Sequence, residues 1–266
     1  MEITLVYMAA GLSSRFGGKP KMLARVGPLG ETLIEYSLSQ AISAGIKKAV
    51  LVVSEKTRQP IKYVLGENYK NIPINYALQE HDSRKREKPW GTVDAVCSAN
   101  KYIDGPFVLC NGDDLYGKST FKILVDHLKT NNNNATVGYK LKDVLSEKGS
   151  VNRGIFQTSE KKIISIVETL GITKDNLESK NITLNDLCSM NIFAFQKEVV
   201  DLLKIKLNIF KTKYAEDRTI ECLLPNEINE LIKNNQISIV VYPATERWLG
   251  LTNPEDEEIV RKELKS

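Results

Sequence analysis

Apolar positions fall in short continuous runs through the first half of the chain and in looser, alternating runs through the second. Ile3 to Met8 is an apolar run long enough for one buried strand, Ala49 to Val53 (AVLVV) is a second, and Phe107 to Cys110 (FVLC) is a third. Between the first two, Thr32 and Glu35 form a capping-box pattern. Leu33, Ile34, Leu38, Ala41 and Ile42 then repeat at helical spacing, and Gly45 closes the helix. Strand, helix, strand over residues 1–53 predicts a parallel pair joined by a right-handed crossover. Residues 57–66 read as helix despite Pro60, Ile74 to Leu78 as strand, and Gly91 to Ala99 as the start of a helix. Residues 118–129 read as an amphipathic helix, and Asn131 to Asn134 as a turn.

From residue 135 the texture changes. Ala135 to Leu141, Arg153 to Thr158 and Lys162 to Thr169 are β-like, and 170–186 is irregular or briefly helical. Leu187 to Phe195 reads as one strand, 197–211 and 218–234 as helices, Ile237 to Tyr242 as a late strand and 253–264 as a final helix. The pattern is that of an α/β fold without internal repeat or long linker. It predicts a single domain over 1–266, with a nucleotide-binding half (1–134) and a β-richer half (135–266) that shapes a second substrate's pocket.

Composition narrows this picture only slightly. Hydrophobic content of 42% and charged content of 26% are ordinary for a globular chain, and a net charge of +4 suits a small anionic ligand but is too weak to argue for nucleic acid. No apolar run approaches the ~20 residues of a membrane span, and the N-terminus does not read as a signal peptide. Four dispersed cysteines and two histidines make a zinc site improbable. Cys97 and Cys110 read as small core residues in a reducing compartment, the cytoplasm. The polar run Glu80 to Lys88 reads as a solvated loop, or as a mobile basic lid over a phosphate site.

Candidate chemistry gathers where the buried strands end. After Met8 the chain breaks into Ala9 and Ala10 and then a turn rich in Gly and Ser, from Gly11 to Gly18, with Arg15 in it and Lys21 just after it. Exposed backbone N–H groups and flanking cations can hold a triphosphate and stabilise charge developing at its α-phosphorus. The loop is neither GxxxxGK[ST] nor GxGxxG. Asp113 and Asp114 follow the FVLC strand, at the sheet edge where open α/β folds bind ligands, and offer the hard oxygen atoms that Mg²⁺ takes beside phosphate. Gln79, at the end of a strand, and Gly91-Thr92, at a helix start, are candidates for reading a nucleobase.

The string AAGLSSRFGGKPKML, then Gly91-Thr92, then Gly112-Asp113, together with VETL, SMNIFAF and WLGLTNPED further on, resembles the sugar-1-phosphate nucleotidyltransferases, the pyrophosphorylases that make nucleotide sugars. The resemblance implies a Rossmann-like fold of the GT-A type, with a mixed, mostly parallel central sheet flanked by helices and a β-rich sugar-binding part. It implies that Ala9, Ala10, Gly11, Ser13 and Ser14 line the nucleotide and that Gln79, Gly91 and Thr92 read a pyrimidine. Arg15, Lys21 and Asp113 would be catalytic, with Asp113 binding Mg²⁺. Gly138, Arg153, Glu168 and Asn191 would bind the sugar, Ser189 competing with Asn191 for its place.

Three departures stand out. The family loop is usually GxGTR or GxGSR, and Ser13 takes the place of the second Gly. The lysine that often follows the glutamate of the VEK segment is Thr169 here, so that Arg153 or Lys140 would substitute for it. No Asp stands at the usual second metal position near the C-terminus, which leaves Asn253 or Thr252 as a weak candidate. The expected reaction is Mg²⁺-dependent transfer from an NTP, with UTP favoured, to glucose- or N-acetylglucosamine-1-phosphate, releasing pyrophosphate. The expected partners are those two small substrates, with no nucleic acid or membrane, and a homo-oligomer is left open. The competing readings are a cytidylyltransferase acting on a non-sugar phosphate or phosphonate, an inactive nucleotide-binding module, and a glycosyltransferase.

Overall fold

The first apolar run becomes a central strand of the sheet. In the computed structural model, which describes residues 2–12, 16–18, 20–145, 149–251 and 256–265, β1 (Thr4–Met8) is buried along nearly all its length, and Tyr7 shares a 2.7 Å hydroxyl hydrogen bond with Ser37. α1 (Leu33–Ala44) starts at the expected capping box, with Glu35 N–H donating to Thr32 Oγ1 and Thr32 N–H donating to Glu35 Oε2, and stops at Gly45, whose φ is +111°. β2 (Lys48–Val53) then lies parallel to β1. α2 (Glu55–Leu65) begins two residues earlier than expected, because Ser54 and Thr57 form a second capping box, and Pro60 sits on its exposed side. β3 (Asn68–Tyr69) leads into β4 (Ile72–Leu78), which is parallel to β2.

α3 (Thr92–Ser98), β5 (Phe107–Asn111), β6 (Asp114–Leu115) and α4 (Lys118–Thr130) complete the first half. Asn134 is not part of a turn but opens β7 (Asn134–Lys140). β8 (Val151–Ser159) and β9 (Lys162–Ile172) form a long antiparallel hairpin, with register shifts between Val151 and Arg153 and between Gln157 and Thr158. The expected single strand 187–195 is two strands, β10 (Leu187–Ser189) and β11 (Phe193–Phe195). Asn191, at φ +56°, turns the chain between them. β10 therefore pairs with β7 and β8, whereas β11 inserts between β5 and β7.

α5 (Glu198–Lys213) matches expectation. The helix expected over 218–234 is only α6 (Leu224–Lys233). Upstream of it, Thr219 and Ile220 donate backbone N–H bonds to the Asp217 carboxylate, and Cys222 N–H donates to Trp90 O rather than to a carbonyl four residues earlier, so no helix propagates through 222. Pro225 then stands in the first turn, where a missing N–H costs nothing. β12 (Ile239–Pro243), β13 (Leu249–Gly250) and α7 (Asp256–Glu263) end the fold.

The main sheet runs β10-β8-β9-β12-β7-β11-β5-β1-β2-β4-β3, and β13 pairs with β6 in a small ribbon. Its β5-β1-β2-β4 part is parallel, and β12 is parallel to β7. One core, containing Leu38, Leu51 and Phe121, covers one face under α1 and α4. A second, containing Val96, Leu203 and Ile228, fills the other under α3, α5 and α6. Among the described residues, no helix is long and apolar enough to cross a membrane, and all four cysteines are free thiols, three of them buried.

Candidate active site

Because β1 and β5 are parallel neighbours with Met8 opposite Asn111, their C-terminal ends reach the same sheet edge. Gly112 N–H donates to Met8 O at 2.9 Å, and a Cβ on Gly112 would lie 3.1 Å from that of Ala9, so the two strand ends pack tightly on each other there. On this edge Lys21 Nζ lies 3.2 Å from Asp113 Oδ2. Asp114 is buried behind it. Asn111 Nδ2 donates to Asp114 Oδ2 at 2.8 Å, and the Tyr116 hydroxyl lies 3.2 Å from the same oxygen. Burial, and then the negative charge of Asp113, push the Asp114 carboxyl up to about 7.

Two cavities meet at this edge. The larger, of about 740 Å³, is lined by Ala10, Gly11, Gln79, Gly91, Thr92 and the start of α2 at Ser54, Glu55 and Lys56. The other, of about 370 Å³, runs from Lys21, Asp113 and Asp114 to Arg153, Glu168 and Trp248. Thr92 and Asn111 line both. The two cavities are therefore neighbours across Thr92 and Asn111, and Asp113 lines the smaller one two residues beyond Asn111.

The walls of the larger cavity are tied down by chemistry that the linear pattern hides. The Gln79 side-chain amide donates to Gly91 O and Asp94 Oδ2, both at 3.0 Å, and Lys211 Nζ donates to Asp94 Oδ1 at 2.8 Å. Both of these partners only accept, so the amide nitrogen is committed and the carbonyl oxygen of Gln79 is the group left for a ligand. Gly91 sits at φ +97°, and a Cβ there would meet Cys222 O at 2.7 Å. Thr92 Oγ1 accepts from Leu224 N–H at 2.7 Å, which locks the start of α3 onto the start of α6.

Most of the Glu80–Lys88 run is exposed, as a surface loop would be, but it is anchored at Arg86 and Lys88. Arg86 is 3% exposed, donates to the carbonyls of Lys88, Asp217 and Ile220, and stacks 3.4 Å over the Trp90 ring. Lys88 pairs with Glu221.

In the smaller cavity, Arg153 Nη1 donates to Asn152 O at 3.0 Å and Nη2 to Val144 O at 3.1 Å, with the guanidinium 5.6 Å from the Trp248 ring. Burial raises the Glu168 carboxyl, and Arg153 partly offsets this. Ser189 and Asn191 both line this cavity, Asn191 donating its N–H to Ser189 Oγ at 3.1 Å, so neither displaces the other.

The structure thus brings Lys21, Asp113, Arg153, Glu168 and Asn191 around one cavity and Ala10, Gly11, Gln79 and Gly91 around the other, with Thr92 shared. Ala9 is buried against Gly112 beneath them. Gly138 does not join the lining: it lies within β7, where a Cβ would meet Leu187 and Val241 at 3.0 Å. Ser13, Ser14, Arg15 and Asn253 lie outside the described residues.

The sequence pattern did not single out Asn111, Asn152 or Asn226, which also line the smaller cavity. Asn111 was within reach of such reasoning, since it is the last residue of the strand that delivers Asp113. Gly250 stands opposite Asp114 on β13, and a Cβ there would come within 3.0 Å of Asp114 Oδ1, so a larger residue at this place would press on that carboxylate.

Comparison with known proteins agrees with this geometry. The chain is 28% identical over 242 residues to the bifunctional protein GlmU of Staphylococcus saprophyticus, covering 89% of this chain and 47% of that protein, so it spans about half the length of that relative. Its fold superposes on a UDP-glucose pyrophosphorylase from Acinetobacter baumannii with a TM-score of 0.71 at 15% identity, over 98% of this chain and 92% of the other. It superposes on the inositol-1-phosphate CTP transferase from T. maritima with a TM-score of 0.68 at 18% identity, over 100% and 97%. The model of the nucleotidyl transferase family matches residues 17–241, from the glycine turn through the last strand of the main sheet, and the chain belongs to that family.

Proposed function

We propose that the protein transfers a nucleotidyl group from an NTP, with UTP favoured, to a sugar-1-phosphate such as glucose- or N-acetylglucosamine-1-phosphate. The observation that carries this reading is the junction of two cavities beside the Lys21–Asp113 pair. The nucleotide occupies the larger cavity, its base against Gln79 and Gly91 and its phosphates along Ala10 and Gly11. The sugar lies in the smaller one, its hydroxyls against Glu168 and Asn191. A phosphate oxygen of the acceptor attacks the α-phosphorus in line, the bond to the bridging oxygen breaks, and pyrophosphate leaves. No covalent enzyme intermediate is required, because positioning and charge neutralisation carry the rate.

The donor set at the strand end suits Mg²⁺. Asp113 offers hard oxygens beside the cavity, with Asp114 behind it. That is the arrangement for an ion completed by water and phosphate. Asp113 would hold the ion, which when bound neutralises charge on the triphosphate. Lys21 neutralises the same region with a side chain of its own.

A second reading has the same fold act with CTP on a non-sugar phosphate. The likeness to an inositol-1-phosphate CTP transferase and Thr169 after Glu168 favour it. Incubation with Mg²⁺, each NTP and a panel of sugar and polyol phosphates, followed by pyrophosphate release, separates the two. Release with no pair at all would remove both.

A further inference from the structure

One wall of the larger cavity is an amide whose polarity is set from outside the cavity. The oxygen and nitrogen of a glutamine amide are nearly the same size, so an unconstrained Gln79 could turn either end to a ligand. Its neighbours allow one orientation. Gly91 O and Asp94 Oδ2 each accept an N–H of Gln79 at 3.0 Å, which spends both amide hydrogens and leaves the carbonyl oxygen as the end offered to the cavity.

Asp94 holds that orientation only while it is a pure acceptor. It is 7% exposed, in the first turn of α3. A carboxylate so buried is costly without a partner, and a protonated one could donate to the Gln79 oxygen and turn the amide round. Lys211 removes that freedom. Its Nζ donates to Asp94 Oδ1 at 2.8 Å from the last turn of α5, 117 residues further along the chain. Phe210, beside it, meets the Trp90 ring edge-on with centroids 6.2 Å apart, and Lys211 Nζ lies 5.9 Å from the centre of the same ring. One helix turn thus braces both Asp94 and the residue before Gly91. Asp94 and Lys211 stand behind the wall and outside the lining, so a ligand meets Gln79 and neither of them.

We propose that the Lys211–Asp94 pair is the base selector of the nucleotide cavity: two positioning residues that fix which end of Gln79 faces the nucleobase and so make the cavity distinguish uracil from cytosine. This rests on the nucleotidyl-transfer reading, with the base against Gln79, and adds to it where the choice of NTP is set. The two bases have the same ring shape and opposite patterns. Uracil offers a ring N–H between two carbonyls, whereas cytosine offers a bare ring nitrogen beside an amine. An amide of fixed polarity suits one of them, and an amide free to turn suits both. With the carbonyl fixed toward the cavity, the favoured base is the one with the N–H at the centre of its pairing edge, which is uracil.

The test measures Kd for UTP and for CTP by calorimetry on wild type, K211M, K211R, D94N and K211M/D94N, with thermal melting to establish folding. Wild type is expected to favour UTP by about 10-fold or more, the worth of one well-made hydrogen bond. K211M and D94N should each bring the two constants to within about 3-fold of one another, the first by releasing Asp94 and the second because an asparagine can donate as well as accept. The double variant should lose no more than either single one, because the two residues act as a unit. K211R, still a donor to Asp94, should keep most of the preference. In K211M, kcat at saturating UTP should stay within about 2-fold of wild type, because Lys211 touches no reacting group, a split that general loosening of the site would not give.

A UTP preference unchanged in folded K211M and D94N, wild type with equal affinity for the two nucleotides, or additive losses in the double variant would each overturn the proposal. If K211M does not fold, D94N makes the same comparison with the lysine in place. Binding needs no turnover, so the two readings can fail separately. Wild type that releases no pyrophosphate with any acceptor, yet loses its UTP preference on Lys211→Met, fails the transfer reading and keeps the selector. Wild type that binds neither nucleotide fails both.

Discussion

Lys21 and Asp113 are 92 residues apart in the chain, and their side chains meet with Nζ and Oδ2 3.2 Å apart. The pair joins the segment after the glycine turn to the end of β5. A quarter to a third of each side chain is open to solvent, so the pair contributes at most about 1 kcal/mol to stability. Its value is positional, as it sets a cation and a hard anion side by side where the two cavities meet. Replacing Asp113 with Asn should lower kcat by about 10³-fold or more, and Lys21→Ala by about 10²- to 10³-fold. Melting temperature should move by no more than about 4 °C in either. Steady-state pyrophosphate release at saturating substrates checks this, and an unchanged kcat in D113N would place the critical charge elsewhere.

The amide nitrogen of Gln79 is spent on Gly91 O and Asp94, which leaves its carbonyl oxygen for the base. Gln79→Ala should raise the NTP KM by about 10-fold, the loss of one good hydrogen bond plus the loosened Gly91 carbonyl, and leave the acceptor KM alone. Asp94→Ala frees the amide to rotate and should blunt discrimination between UTP and CTP. Competition between the two nucleotides reports it. Discrimination retained in D94A would show that Gln79 is held by its other contacts.

Arg86 connects the 80–90 loop to segment 217–220 through two carbonyls and stacks on Trp90. Arg86→Ala removes the two carbonyl bonds and leaves the space of a buried side chain under Trp90, and should cost about 2–4 kcal/mol in urea denaturation. Arg86→Lys should rescue little, since an ammonium group cannot reproduce a stacked, forked donor. If R86K were as stable as wild type, the stacking and fork geometry would be irrelevant.

Asp114 makes stability depend on pH in a definite direction. The native carboxyl holds its proton to about pH 7, and the unfolded one releases it near 3.8. Between those values the native state binds more protons. Stability should therefore be greatest below about pH 4 with respect to this group and fall as pH rises to 7, by an upper limit of about 4 kcal/mol. The Tyr116 hydroxyl fits the same sign. It has one proton, Met190 O accepts it at 2.8 Å, and a protonated Asp114 can then donate to the phenolic oxygen. Asp114→Asn should flatten that slope and exceed wild type in stability at pH 8 in metal-free buffer. Parallel slopes for the two proteins in chemical denaturation would refute this.

Much of the fold was legible because it is written locally. The capping box at Thr32 and Glu35, the glycine stop at 45 and the runs at 3–8, 49–53 and 107–110 each specify their element from a few adjacent residues. Asp113 was legible for the same reason, as a carboxylate at the end of a buried run. The strand over 187–195 was misread because apolar character continues across Asn191, whereas the pairing partners change there. The helix at 218–223 was misread because the Cys222 N–H is claimed by Trp90 O, far away in the chain.

The sequence by itself therefore determined the βαβ start, the break into small residues after β1 and the strand-end aspartate. All of these follow from periodicity and capping, which act over a few residues. The tertiary structure decided what the charges do. Arg86 reads as one more cation in a polar loop until residues 131 and 134 positions away place their carbonyls around it. Arg153 is a sugar-site candidate from the sequence, but only the fold shows that two of its donors go to the carbonyls of Asn152 and Val144. Lys21 reads as a phosphate-facing cation from the sequence, but its pairing with Asp113 depends on the sheet register that brings β1 and β5 to one edge. A charge acquires its role from its partners and from the water it loses, and both are fixed by contacts that no local pattern records.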